Sequence, residues 1–137
     1  MKTYNLYLNE LGSLVQEILS SFNEGVIILR GDLAAGKTTF VKAVAQELGY
    51  KEDVTSPTFS LQQCYGEKLF HYDIYNHGLE HFLSLGMLEE LDKKGLHLIE
   101  WGDDKLIELL QNVGIEVISI DIKKIDNEKR EYKICTY

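Results

Sequence analysis

The sequence predicts an α/β fold: a central mixed sheet, parallel in its core with antiparallel edge strands, flanked by helices. Three observations carry this. The short apolar runs "GVIILR" and "GLHLIEW" have the make-up of strands buried on both faces of a sheet. Stretches with a helical apolar period stand between strand candidates. The tail holds two more strand candidates joined by a short turn, which suits antiparallel edges.

Taken in order, "KTYNLYL" alternates well enough for a strand. "NELGSLVQEILSSF" sets Leu11, Leu14, Val15, Ile18 and Leu19 at helical spacing, with Asn9 as the expected cap. "GVIILR" is the first buried strand. From Lys37 onward, Phe40, Val41, Val44, Ala45 and Leu48 form one helical stripe, which Gly49 ends. "YKEDVTSPTFS" is polar, holds the only proline, Pro57, and reads as a loop. "TFSLQQCY" and "KLFHYDIY" are strands around a turn at Gly66-Glu67. "LEHFLSLGMLEELDKK" is helical but broken near Gly86, "GLHLIEW" is a second buried strand, and "DDKLIELLQNV" is a helix capped by Asp103 or Asp104. The tail from Ile115 is a hairpin turning at Asp126-Asn127.

The 137 residues, 45% hydrophobic and 26% charged, suit one domain over residues 1–137 with a single core. No apolar run approaches the ~20 residues of a membrane span, and "MKTYNLYLNE" lacks the apolar stretch of a secretory signal. A cytoplasmic protein without a membrane partner is expected. The net charge of −8 repels a phosphate backbone and disfavours direct, charge-driven nucleic-acid binding. Cys64 and Cys135 form no C-x-x-C pair and no zinc spacing, and both are expected to be small buried residues in strands.

"GDLAAGKTTF" is the most informative stretch. Gly31-x-x-x-x-Gly36-Lys37-Thr38 fits the phosphate-binding loop at every required position. Glycines let the backbone curl so that successive N–H groups point at an anion. The N-terminus of the next helix adds partial positive charge. Lys37 has the reach to β- and γ-phosphates, and the Thr38 hydroxyl suits Mg2+. A chance match somewhere in such a chain is on the order of half a percent. A buried strand before the loop and a helix after it complete a P-loop nucleotide-binding fold.

No Asn-Lys-x-Asp element marks guanine specificity, so ATP is the expected nucleotide. Such a loop also needs a carboxylate near the metal, at the end of an apolar strand. Glu100, ending "HLIE", is the first choice and Asp73, in "FHYD", the second. Arg30 and Arg130 are the only arginines, too few for the substrate clamp of a small-molecule kinase. A slow ATPase accelerated in a complex follows, with a small kinase acting on a metabolite as the rival and a module with a purely structural nucleotide as the third reading.

Together with the loop, "TSPTF" at residues 55–59, "HYDIY" at residues 71–75 and "IEW" at residues 99–101 resemble the TsaE (YjeE) ATPases in order and spacing, over essentially the whole chain. The resemblance implies a protein required for threonylcarbamoyladenosine modification of tRNA. It would bind ATP with Mg2+ and hydrolyse it on a TsaB–TsaD pair, meeting tRNA only through that complex. It implies that Asp32, Leu33, Ala34, Ala35, Gly36, Lys37 and Thr38 wrap the phosphates, with Thr39 beside them. Thr38 and Glu100 would be the Mg2+ ligands, with Lys37, Glu100 and Asp73 forming the catalytic set and Asp73 assisting the metal or the attacking water. Residues 55–59 would be a switch-like segment with Ser56 and Thr58 as contacts, Trp101 would pack near nucleotide or partner, and Arg130 would lie against the base. Ala34 stands where the family usually has glycine, and Asn76 where arginine is common.

Overall fold

The strand before the glycine loop, Gly25–Arg30, lies at the middle of a seven-stranded sheet whose strand order is β1-β7-β6-β2-β5-β4-β3. In chain order the strands are β1 Lys2–Tyr7, β2 Gly25–Arg30, β3 Gln62–Tyr65, β4 Leu69–Asp73, β5 Leu96–Glu100, β6 Val117–Lys124 and β7 Lys129–Thr136. The helices are α1 Leu11–Ser21, α2 Lys37–Glu47, α3 Gly78–Ser84, α4 Met87–Leu91 and α5 Asp104–Asn112. The computed structural model describes residues 1–32, 35–51, 54, 61–75 and 78–137.

β2 pairs in parallel with β5 and β6, and β5 in parallel with β4. β7 with β6, β1 with β7 and β3 with β4 are antiparallel. The expected parallel core with antiparallel edges is therefore present. Strand alternation divides the apolar residues between two layers. Ile27 and Leu29 of β2, Leu96 and Leu98 of β5 and Leu69 of β4 pack with the buried stripes of α1 and α2. Val26, Ile28, Ile99, Phe70 and Tyr72 pack on the other face with Phe82, Leu91 and the α5 stripe Leu106, Ile107 and Leu110. Among the described residues no helix is long and apolar enough to cross a membrane.

Gly86, at φ +75°, separates α3 from α4 where the break is expected. Asp103 rather than Asp104 caps α5, accepting the Leu106 N–H at 3.0 Å. Two local expectations are corrected. A 3-10 turn at Leu8–Glu10 leads into α1, so Asn9 is not its cap. The longer Glu10 side chain reaches back to accept the Tyr7 N–H at 2.9 Å and closes the passage from strand to helix. Cys64 is exposed and Cys135 half-buried, not buried. β3 is an edge strand whose alternation turns Tyr65 inward and Cys64 out.

Candidate functional site

At the end of β2 the chain must turn sharply over the neighbouring strand. Gly31 has φ +153°, and a Cβ there would lie 2.4 Å from the Ile122 carbonyl oxygen of β6, so only glycine fits. The Ala35 N–H donates to the Asp32 carbonyl at 2.9 Å, folding the loop back on itself. Gly36, at φ +111°, opens α2, and its carbonyl accepts the Phe40 N–H at 3.0 Å. The first turn of α2, with the partial positive charge of a helix N-terminus, thus follows the loop directly.

Lys37 is buried, and its ammonium donates to the carbonyls of Gly31 at 2.7 Å and Asp32 at 2.8 Å. Burial holds its pKa below the ordinary lysine value, against the opposing pull of Glu100, Asp73 and Asp32. The same nitrogen sits 4.0 Å from the centroid of the Trp101 ring. Trp101 has φ +71°, a strained value for a residue with a Cβ, and its ring meets Tyr75 at 4.6 Å between centroids.

The Thr38 hydroxyl donates to both oxygens of Glu100, at 3.3 Å to Oε1 and 3.1 Å to Oε2. This meeting follows from the sheet. Leu69, His71 and Asp73 alternate onto one face of β4, and Leu96, Leu98 and Glu100 onto the same face of β5, under α2. Asp73 is the register partner of Glu100 on the adjacent strand, and its Oδ1 accepts the Tyr75 N–H at 2.9 Å. Glu100 is 3% exposed, and its Oε2 lies 2.5 Å from Nε2 of the fully buried His71.

On the opposite side of the loop, Arg130 of β7 donates through Nε to the Ala35 carbonyl at 3.0 Å and through a terminal nitrogen to the Asp126 carbonyl at 2.7 Å. A pocket of about 100 Å³ beside it is lined by Leu8, Gly36, Thr39, Asn127, Glu128, Arg130 and Tyr132. It shares Leu8, Asn127 and Glu128 with a wider groove of about 540 Å³ that Tyr7 and Asn9 complete. Arg30 is engaged elsewhere, with Asp104 at 2.7 Å and Asp121 at 2.8 Å.

The description of TsaE, a threonylcarbamoyl adenosine biosynthesis protein, fits a family model that matches residues 7–132. The chain belongs to the TsaE family. It is 36% identical over 127 residues to the tRNA threonylcarbamoyladenosine biosynthesis protein TsaE of Treponema pallidum, across 90% of this chain and 90% of that one. To the protein of the same name from Bacillus subtilis it is 38% identical over 109 residues, 77% of this chain and 66% of that one. The crystal structure of Bacillus subtilis YdiB shares its fold with a TM-score of 0.71 at 28% identity, covering 98% of this chain and 86% of that one.

In this TsaE-family chain Asp32, Ala35, Gly36, Lys37, Thr38, Thr39, Asp73, Glu100 and Arg130 come together around the end of the sheet where β2, β4 and β5 finish. Leu33, Ala34, residues 55–59 with Ser56 and Thr58, and Asn76 lie outside the described residues. His71 is the participant that sequence reasoning misses. Its signal is the H-x-D spacing, which puts it on the same strand face as Asp73.

Proposed function

We propose that this TsaE-family chain serves tRNA threonylcarbamoyladenosine biosynthesis as a P-loop ATPase. It binds ATP with Mg2+ at residues 31–39 and hydrolyses it when docked on TsaB- and TsaD-type proteins. The observation that carries this is the contact of the Thr38 hydroxyl with both Glu100 oxygens, at 3.1 and 3.3 Å, one residue after the loop lysine.

Hydroxyl and carboxylate oxygens are hard donors, and Mg2+ characteristically takes few protein ligands and completes its shell with water and phosphate. Among the described residues no three His, Cys, Asp or Glu side chains gather into a self-contained metal site. The pair Thr38 and Glu100 suits a cation that arrives with a nucleotide. When bound, Mg2+ would neutralise charge on the phosphate oxygens. The chain's part is electrostatic and positional. Lys37 would exchange its Gly31 and Asp32 carbonyls for phosphate oxygens, and the loop and first-turn amides would hold the remaining ones. Asp73, beside Glu100 in register, would orient water. The groove between Leu8 and the hairpin tip at Asn127 would take the nucleoside, with Arg130 at its inner end.

Both arginines are committed, Arg30 to two carboxylates and Arg130 to backbone carbonyls, which supports a partner completing the charge around the phosphates. The net charge of −8 agrees with tRNA being held by other subunits. The test is phosphate release from ATP with and without the partner pair, for wild type and Lys37→Ala. Slow turnover alone, acceleration by the pair and loss in the variant are expected. Turnover as fast alone as in the complex, or release only with an added hydroxyl acceptor, would refute the reading.

A further inference from the structure

Beneath the loop, the layer formed by Leu69, Leu96 and Leu98 is apolar, and His71 is set into it with no exposed surface. An imidazole there costs free energy unless its polar atoms are used. One of them is: Nε2 lies 2.5 Å from Oε2 of Glu100. The other, Nδ1, is buried and has no hydrogen-bond partner among the described residues. The ring therefore finds one acceptor, not two. Facing a carboxylate oxygen, Nε2 is the ring atom placed to donate its hydrogen.

We propose that His71 is a positioning residue for Glu100, fixing one carboxylate oxygen so that the other is presented to the cation. Among the described residues, Oε2 receives both His71 and Thr38, whereas Oε1 receives only the longer 3.3 Å contact from Thr38. Without the imidazole, Thr38 is left to hold the Glu100 carboxyl group, which loses its nearest donor in a dry setting. Donors behind a metal-binding group characteristically act through its orientation. This inference rests on the ATP–Mg2+ reading above.

The test measures ATP binding by calorimetry without metal and across a Mg2+ series, for wild type, His71→Phe and His71→Gln. Phenylalanine keeps the ring volume and removes the donor; glutamine restores an N–H. The Phe variant is expected to need about ten- to a hundredfold more Mg2+ for the metal-dependent gain in affinity. Its metal-free ATP affinity should stay unchanged, and the Gln variant should recover most of the loss. A Phe variant with the wild-type Mg2+ dependence would overturn the proposal. Nitrogen NMR of the wild-type ring provides a readout that does not depend on a variant folding. A hydrogen on Nε2 is expected, and a bare Nε2 with the hydrogen on Nδ1 would equally overturn the proposal. Wild type that takes up no ATP at all would instead defeat the nucleotide reading.

Discussion

The Lys37 ammonium rests on the face of Trp101, 4.0 Å from the ring centroid, while donating to the Gly31 and Asp32 carbonyls. The loop's own cation is thus occupied by neutral partners. A cation–π contact of this kind is worth ~0.5–2 kcal/mol, and phosphate oxygens bearing full charge form stronger hydrogen bonds than carbonyls. An incoming polyphosphate would therefore win the ammonium. Trp101 would then face a different electrostatic environment.

Trp101 is the only tryptophan, so its emission isolates this exchange. ATP with Mg2+ is expected to shift the fluorescence of the wild type. Lys37→Ala should shift the nucleotide-free spectrum and remove most of the ATP-dependent change. Emission indifferent to both would mean that the ammonium does not leave the ring.

Glu100→Gln keeps the side-chain volume and removes the charge. Metal-free ATP affinity should survive, because the loop amides and Lys37 are untouched. Turnover in the complex with the partner pair should fall on the order of 10²-fold or more, the scale of losing one preorganised electrostatic contact. Single-turnover measurement checks this, and a loss below about tenfold would remove Glu100 from the chemistry.

Much of this arrangement is legible in the chain itself, and the reason is locality. The loop spacing, the buried run "GVIILR" and the stripe Phe40, Val41, Val44 and Ala45 are all short-range patterns, and each forms the expected element. Glu100 and Asp73 are legible because they end apolar strands. His71 is not, because a lone histidine in "LFHYD" looks like any core residue. Only the parallel register of β4 on β5 brings it under Glu100, and interstrand register is absent from local pattern. The Asn9 cap fails for the opposite reason. A good capping residue was available, but Glu10 made a longer reach to Tyr7.

Gly31 and Gly36 are expected to differ on substitution, although one motif contains both. Alanine at either meets an unfavourable positive φ, which costs about 1–3 kcal/mol. At Gly31 the added Cβ also meets the Ile122 carbonyl oxygen at 2.4 Å, and that atom belongs to the sheet. At Gly36 the nearest atoms are the Arg130 Nε at 3.9 Å and the Thr39 Cβ at 4.0 Å. Urea unfolding should show Gly31→Ala the more destabilised of the two. Equal midpoints would mean that β6 yields to the intrusion.

The pH dependence of folding should carry the mark of His97. Its Nε2–H donates to the Lys93 carbonyl at 2.8 Å, which leaves Nδ1 to accept from the Tyr72 hydroxyl at 2.8 Å. Gln62 donates in turn to Tyr72 at 3.1 Å and to Glu90 at 3.1 Å, and the imidazole stacks on Phe70. Burial lowers the His97 pKa below its ordinary value of 6.5, outweighing the Lys93 carbonyl, Glu90 and Glu24, while the Lys93 ammonium adds to the depression. Above pH 6.5 the ring is neutral whether folded or unfolded, and its contribution is complete. As pH falls through that value, the unfolded chain takes up a proton that the folded chain resists, so stability declines until the folded ring also protonates. His97→Gln should lose about 1–3 kcal/mol at pH 7 from the partners left unpaired. Its melting temperature should also fall less steeply than that of the wild type as pH drops from 6.5. Parallel melting curves for the two proteins across that window would show that His97 does not couple protons to folding.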